Sequence, residues 1–251
     1  MAAVPEVSYV YGIVSAGVRL AADTRGVGEP AAEVRLIRHE NVAALVSSMD
    51  ADRPLGLPDD LRAHFTVLNE TAERMAVLPL RFGAVMADSE TVVDELLAPH
   101  HDDFVASLDE LDGYEQYLVK GRYPEDRALQ EVLENNPEAS RLCAEINDLG
   151  PDASHDQRVA LGELVHACLE TLRDSDTQVL LETLGAWTAA VELRDAASEQ
   201  DAFQVAVLVT PDNAEKLEHA VSGLAREWRD RLAVRLIGPM APYDFVIAPD
   251  A

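Results

Sequence analysis

Arg235-Leu236-Ile237-Gly238-Pro239-Met240-Ala241-Pro242-Tyr243-Asp244-Phe245-Val246 lies close to the C-terminus, and the rest of the chain is read outward from it. Leu232 to Ile237 is an apolar strand that runs into Gly-Pro, a second proline and then Tyr-Asp-Phe-Val. Gly238 permits backbone angles closed to other residues. Pro239 and Pro242 each fix their own φ and hold the preceding residue extended. The expectation is a stiff, extended turn that presents Tyr243 and Phe245. A stiff aromatic segment loses little entropy when it binds. The same residues would also serve simply to close the core of the last domain, because aromatic and proline positions commonly pack.

The 251 residues fit one large or two ordinary domains. With 48% hydrophobic and 26% charged residues, a packed core is expected and wholesale disorder is not. The net charge is −26, from 46 acids against 20 bases, and the lysines are Lys120 and Lys216. Phosphate backbones repel such a chain, which argues against nucleic acid and favours a basic partner or high solubility. Cys143 and Cys168 form no CxxC and read as buried thiols of a reducing compartment. The N-terminus lacks the layout of a signal peptide, and no apolar run approaches the ~20 residues that span a bilayer. A cytoplasmic protein outside the membrane is expected.

Val7 to Val14 is β-rich and reads as a central strand. Residues 21 to 32, with Gly26, Gly28 and Pro30, read as a loop. Glu33–His39 and Asn41–Ser47 form a hairpin, and Asp50 to Pro58 a linker. Pro58-Asp59-Asp60 opens a helix whose stripe is Leu61, Phe65, Leu68, Ala72 and Met75. Val77 to Gly83 is a short strand whose proline marks an edge or bulge. Ser89 caps a helix to about Ala98; Phe104, Leu108 and Leu111 line the next, stopped by Gly113. Tyr114 to Lys120 is a strand and Gly121 to Pro124 a hinge-like break. This order favours a ferredoxin-like α+β sandwich over residues 1–121.

Residues 122–251 read as a second α+β domain. Its helical part, 125–174, restarts at Asn136-Pro137, breaks at Gly150-Pro151, and carries a stripe of Leu161, Leu164, Val165, Cys168, Leu169 and Leu172. Val179 to Leu184 reads as helix or strand. Strands at Ala186–Leu193, Phe203–Thr210 and Leu232–Ile237 follow, with a helix opened by Pro211-Asp212 that turns Leu217, Ala220, Val221, Leu224 and Trp228 inward. These strands and this helix occupy residues 179–247.

Chemistry is sparse. Gly26-Val27-Gly28 lacks the third glycine and the helix of a nucleotide loop, and there is no GxSxG. Neighbours on a helix point ~100° apart, so His100-His101-Asp102-Asp103 cannot converge on one ion and reads as a solvated face. The carboxylates are spread over helix faces, with no isolated pair to split in pKa. No catalytic residue, cofactor site or metal site is expected. The unusual stretches are Leu78-Pro79-Leu80-Arg81-Phe82-Gly83 and Gly238-Pro239 with Pro242-Tyr243-Asp244-Phe245. Arg81, a lone base in an apolar run, pairs with a carboxylate, faces a partner, or sits in solvent at an edge.

Together with Tyr9-Val10-Tyr11-Gly12-Ile13-Val14, these stretches resemble the gas vesicle GvpL/GvpF family. The family opens on a Tyr-x-Tyr-Gly strand, carries Leu-Pro-x-Arg-Phe-Gly mid-chain, and closes on Gly-Pro-x-Pro-Pro-Tyr-x-Phe-Val. Leu111-Asp112-Gly113-Tyr114-Glu115 and Lys120 fit a further family stretch. Ala241 stands where the family pattern has the first of two prolines, and its Gly-x-Ala-Tyr-Leu stretch is absent from about 125 to 175. The resemblance implies a modified ferredoxin-like domain, a C-terminal α+β domain with a helical segment between, and a role in gas vesicle formation. It implies association with the small hydrophobic shell protein GvpA and other vesicle proteins, location at the gas vesicle, and no catalytic activity. On it, Pro79, Arg81, Phe82, Pro239, Pro242, Tyr243 and Phe245 become the expected partner-binding residues. Two other classes compete: a small-molecule-sensing regulatory module, which would show a concave pocket with convergent polar groups, and an enzyme, which would show a cleft carboxylate of raised pKa.

Overall fold

Strand β1 (Glu6–Ser15) is the axis of the first sheet, and every residue from Ser8 to Val14 is buried. Such a run of β-branched and aromatic residues suits a strand covered on both faces. The computed structural model describes residues 6–20, 24–28, 31–124, 127–149, 155–198 and 200–246. β2 (Arg35–His39) and β3 (Val42–Asp50) form the expected hairpin, turning at Glu40, whose φ is 48°. The sheet order is β2-β3-β1-β4, where β4 is Leu78–Pro79; β5 (Val85–Met86) also pairs with β1. All these pairings are antiparallel.

Helix α1 (Pro58–Ala72) starts on its proline as expected. α2 (Ser89–Thr91) continues as a π-helical segment, Val92–Leu97. Its cap is Asp88 rather than Ser89: the Asp88 carboxylate accepts from the Thr91 backbone N–H at 2.8 Å. α3 (His101–Leu111) buries Phe104, Leu108 and Leu111 as its spacing requires, and Gly113 follows with φ of 78°.

The second sheet has the order β7-β8-β6-β9, from β6 (Glu115–Arg122), β7 (Ala190–Arg194), β8 (Asp201–Val209) and β9 (Ala233–Met240). α4 (Arg127–Asn135), α5 (Pro137–Leu149), α6 (His155–Leu184) and α7 (Pro211–Glu227) complete the chain. Asn136 restarts the helical run as expected, its side chain accepting from the backbone of Glu138 and Ala139. The fold is α+β with two antiparallel sheets.

Several expectations are corrected. The strand from Tyr114, read as the last of the first domain, joins the second sheet as β6. Gly121 is no hinge: the strand runs through to Arg122, and a Cβ there would come within 2.5 Å of the Phe203 ring. The chain divides into Met1–Tyr117 with Gly238–Ala251, and Leu118–Ile237, so the C-terminal turn groups with the first unit rather than the second. Ala241, Tyr243 and Asp244 find their partners there, as described below. The ambiguous Val179–Leu184 is the end of α6, where Asp176, Leu180 and Leu184 form its buried face; the leucine stripe before it is only half-buried. Strand β7 begins at Ala190, not Ala186. Cys143 and Cys168 are half-buried free thiols rather than fully buried ones. Pro30 and the Gly150-Pro151 break lie outside the described residues.

Candidate functional site

The Tyr9–Val14 strand and the two unusual stretches meet around α1. On β1, Gly12 faces Pro79, and a Cβ at Gly12 would lie 2.6 Å from the Leu78 carbonyl oxygen. Only glycine allows that approach. The Leu80 N–H donates to the Tyr11 carbonyl at 2.8 Å, and the Val10 N–H to the Ala84 carbonyl at 2.9 Å. The segment after Pro79 is therefore laced to β1 by its backbone. Pro79 has no N–H to offer a further strand, which blunts this edge.

Tyr9 and Tyr11 put their hydroxyls to separate uses. Tyr9 Oη accepts from the Gly83 N–H at 3.2 Å and lies 2.9 Å from His64 Nδ1. Which of the two groups donates in that contact is set by the ring tautomer. Burial lowers the His64 pKa to about 4, although the Leu80 backbone favours the charged ring, so the imidazole is neutral at pH 7. Burial also raises the Tyr9 and Tyr11 pKa values. Tyr11 Oη accepts from the Val27 N–H at 2.6 Å and bonds Ser47 Oγ at 2.8 Å. A Cβ at Gly26 would collide with that hydroxyl, so this glycine lets the loop close over Tyr11.

Helix α1 faces the sheet with Asp60, His64, Val67, Leu68 and Thr71, one residue round from the expected stripe. Both faces share Leu68; they differ in whether Asp60 and His64, or Leu61 and Phe65, turn inward. The polar pair goes in because each meets a partner. His64 has Tyr9. Asp60 is bridged by Arg53 at 2.6 Å and accepts from the Leu57 N–H at 3.2 Å. Burial raises the Asp60 pKa, but the Arg53 hydrogen bond and charge outweigh it and leave the carboxylate below its ordinary range. Consequently Leu57, Leu61 and Phe65, at i, i+4 and i+8, are exposed by 52%, 38% and 43%. A counted apolar stripe misses this; the spacing 60, 64, 67, 68, 71 carried the helical period that could have shown it.

The C-terminal turn lies against the same helix. The Ala241 N–H donates to Asn69 Oδ1 at 3.0 Å. Gln116 Nε2 donates to Asp244 and Gln116 Oε1 accepts from the Asp244 N–H. Gly238, at φ of 144°, lets the backbone lie on Tyr117. Tyr243 and Phe245 sit in turns, with N–H groups bonded to Ala241 and Pro242 carbonyls, rather than in a strand. The Tyr243 ring is 5.6 Å from that of Phe65, and His64 is 5.5 Å from Phe82 and 5.6 Å from Phe65. Phe82 and Tyr243 thus belong to one aromatic cluster about α1. Burial raises the pKa of Tyr243, whose hydroxyl has no hydrogen-bond partner among the described residues.

Of the expected partner-binding residues, Pro79 and Pro242 are buried. Arg81 and Pro239 are exposed; Phe82, Tyr243 and Phe245 are half-buried. His101 Nδ1 lies 2.8 Å from Asp102 and its Nε2 3.6 Å from Glu40, so the β2–β3 turn joins this polar patch, a meeting the sequence did not reveal. Among the described residues no group of three or more His, Cys, Asp or Glu is placed to hold a metal ion. Ser15, Gly17, Glu40, Asn41 and Asp109 line an open groove with Arg38, which is already donating to the Ala16 and Val18 carbonyls. No helix among the described residues is long and apolar enough to cross a membrane.

The model of the family described as gas vesicle synthesis protein GvpL/GvpF matches residues 7–247. Gas vesicle protein F of Streptomyces sp. (strain CB03234) is 34% identical over 243 residues, 95% of this chain and 99% of that one. The fold is similar to the crystal structure of GvpF from Anabaena sp. PCC7120, with a TM-score of 0.78, 23% identity and 98% of both chains covered. It is equally similar to that of GvpF from Microcystis aeruginosa, with a TM-score of 0.80, 22% identity, and 95% of this chain and 98% of that one covered. The chain belongs to the gas vesicle synthesis protein GvpL/GvpF family, and its role is a gas vesicle role.

Proposed function

We propose that this protein is a non-catalytic assembly component that binds the shell protein GvpA and other gas vesicle proteins through the outer face of α1. The observation that carries this reading is the exposed row of Leu57 at the N-cap of α1 and Leu61 and Phe65 on the helix, continued by Tyr243. A contiguous apolar row on a highly charged protein costs solubility unless a partner covers it. The residues behind it are pinned by buried hydrogen bonds, so the surface is presented pre-formed and little entropy is lost on docking. Arg81 and Pro239 add exposed residues from the two other motifs, and Phe245 a half-buried one.

A small, apolar shell subunit needs its sticky surface masked before it joins the wall. An apolar row supplies the contact, and the net charge of −26 keeps the complex dispersed. Placing a photo-crosslinking amino acid at Leu61, Arg81 or Pro239 tests this directly. Crosslinks to GvpA from those positions, and none from exposed Glu218 on α7, are expected. Equal yields from all four would remove the assignment.

A further inference from the structure

The second sheet ends in an edge that the reading above does not use. β7 has β8 on one side, and among the described residues the sheet order places no strand on the other. Its register with β8 is regular through all five residues, from Ala190 opposite Leu208 to Arg194 opposite Gln204. It contains no proline, lysine or bulge; its edge devices are its five-residue length and the charges of Glu192 and Arg194. Directly opposed residues share a face, so Val191 and Leu193 extend the face of Val207 and Val205. The β8 valines are fully buried, whereas Val191 and Leu193 are 37% and 61% exposed. The apolar layer is covered over β8 and stops at β7.

We infer that β7 is a self-pairing edge through which a second copy of this chain adds antiparallel, centred on Leu193. In that register Leu193 meets Leu193 of the second copy, and each Glu192 meets the other copy's Arg194 across the strands. Opposite charges placed so favour pairing, and like charges oppose it. The neighbouring symmetric register, centred on Glu192, brings two glutamates together. The strand is therefore complementary to itself in one register and not in the next. Five-residue strands bury less than the roughly 1,200 Å² of a stable dimer. The charge of −26 on each copy also opposes approach. The contact is accordingly weak, and forms where copies are held close together.

Sedimentation equilibrium of the full chain from about 10 to about 500 μM, in about 150 mM salt, reads this contact. Dimerisation with a Kd on the order of 100 μM is expected. Leu193→Lys and the strand-compatible Leu193→Thr should each weaken it about tenfold or more. Glu192→Arg and Arg194→Glu should each weaken it, and the double swap should return it to within about threefold of wild type. Circular dichroism keeps misfolded variants out of the comparison. A wild type that stays monomeric, whether or not it binds strand peptides of other sequence, overturns the inference. So does a dimer indifferent to Leu193, or one the double swap fails to restore.

Discussion

His64 shows how a single buried group ties the sequence motifs together. Its Nδ1 lies 2.9 Å from the Tyr9 hydroxyl and its ring lies against Phe82 and Phe65. The unfolded chain takes up this proton near pH 6.5, but the native ring resists until about pH 4. Stability is therefore fully present above ~6.5 and falls as pH drops through that window, by on the order of 3 kcal/mol at most. His64→Phe should flatten the fall in urea midpoint between pH 6.5 and 4 relative to wild type; an unchanged profile would mean the ring titrates normally. Tyr243 makes the opposite point. Its buried hydroxyl has no partner among the described residues, so Tyr243→Phe should leave thermal stability unchanged or raise it by up to ~1 kcal/mol. A loss above that would reveal a partner for the hydroxyl.

Among the elements, α1 divides what the sequence revealed from what it hid. Its start at Pro58 and its helical period were legible; its end was not, since the counted stripe ran on to Met75 and the helix stops at Ala72. Its inward face was not, because hydropathy ranks Leu61 and Phe65 above Asp60 and His64 and cannot see Tyr9 or Arg53 waiting at distant positions. If the outward row serves binding, Leu57→Ser and Leu61→Ser should shift the denaturation midpoint little, within about 0.5 kcal/mol each. A large loss would return these leucines to the core. The second unit hides a similar pairing. Asp176 lies in the leucine-rich α6, yet it is buried, bonded by Tyr123 at 2.6 Å and bridged by Arg231, which also reaches Glu131. Burial, followed by the Asp176 bond, drives the Tyr123 pKa up. Arg231→Met leaves that carboxylate unpaired and should cost about 3 kcal/mol in urea denaturation, whereas a neutral result would show that Asp176 finds another partner or solvent. The same hydropathy count had stopped α6 near Asp174; the buried face of Asp176, Leu180 and Leu184 carries it on.

For the whole molecule, element order sufficed to read an α+β chain, and the four motifs in order pointed to the family. The return of the C-terminal turn to the first unit was hidden, because it rests on side chains more than a hundred residues apart, Gln116 with Asp244 and Asn69 with Ala241. Which motif residues face solvent was hidden too: prolines that look like presenting devices, Pro79 and Pro242, are buried. What the motifs build is a hydrogen-bonded aromatic cluster behind the α1 row. The measurement that tests the role of that row most directly is a tagged co-expression pull-down with the shell protein GvpA at low and moderate salt, comparing wild type with a folded Leu61→Ser, Phe65→Ser variant. The proposed function requires wild type to retain the shell subunit at both salts, since an apolar contact is not screened, and the variant to lose it. Wild type that retains no shell subunit, or a variant that retains as much, would contradict it.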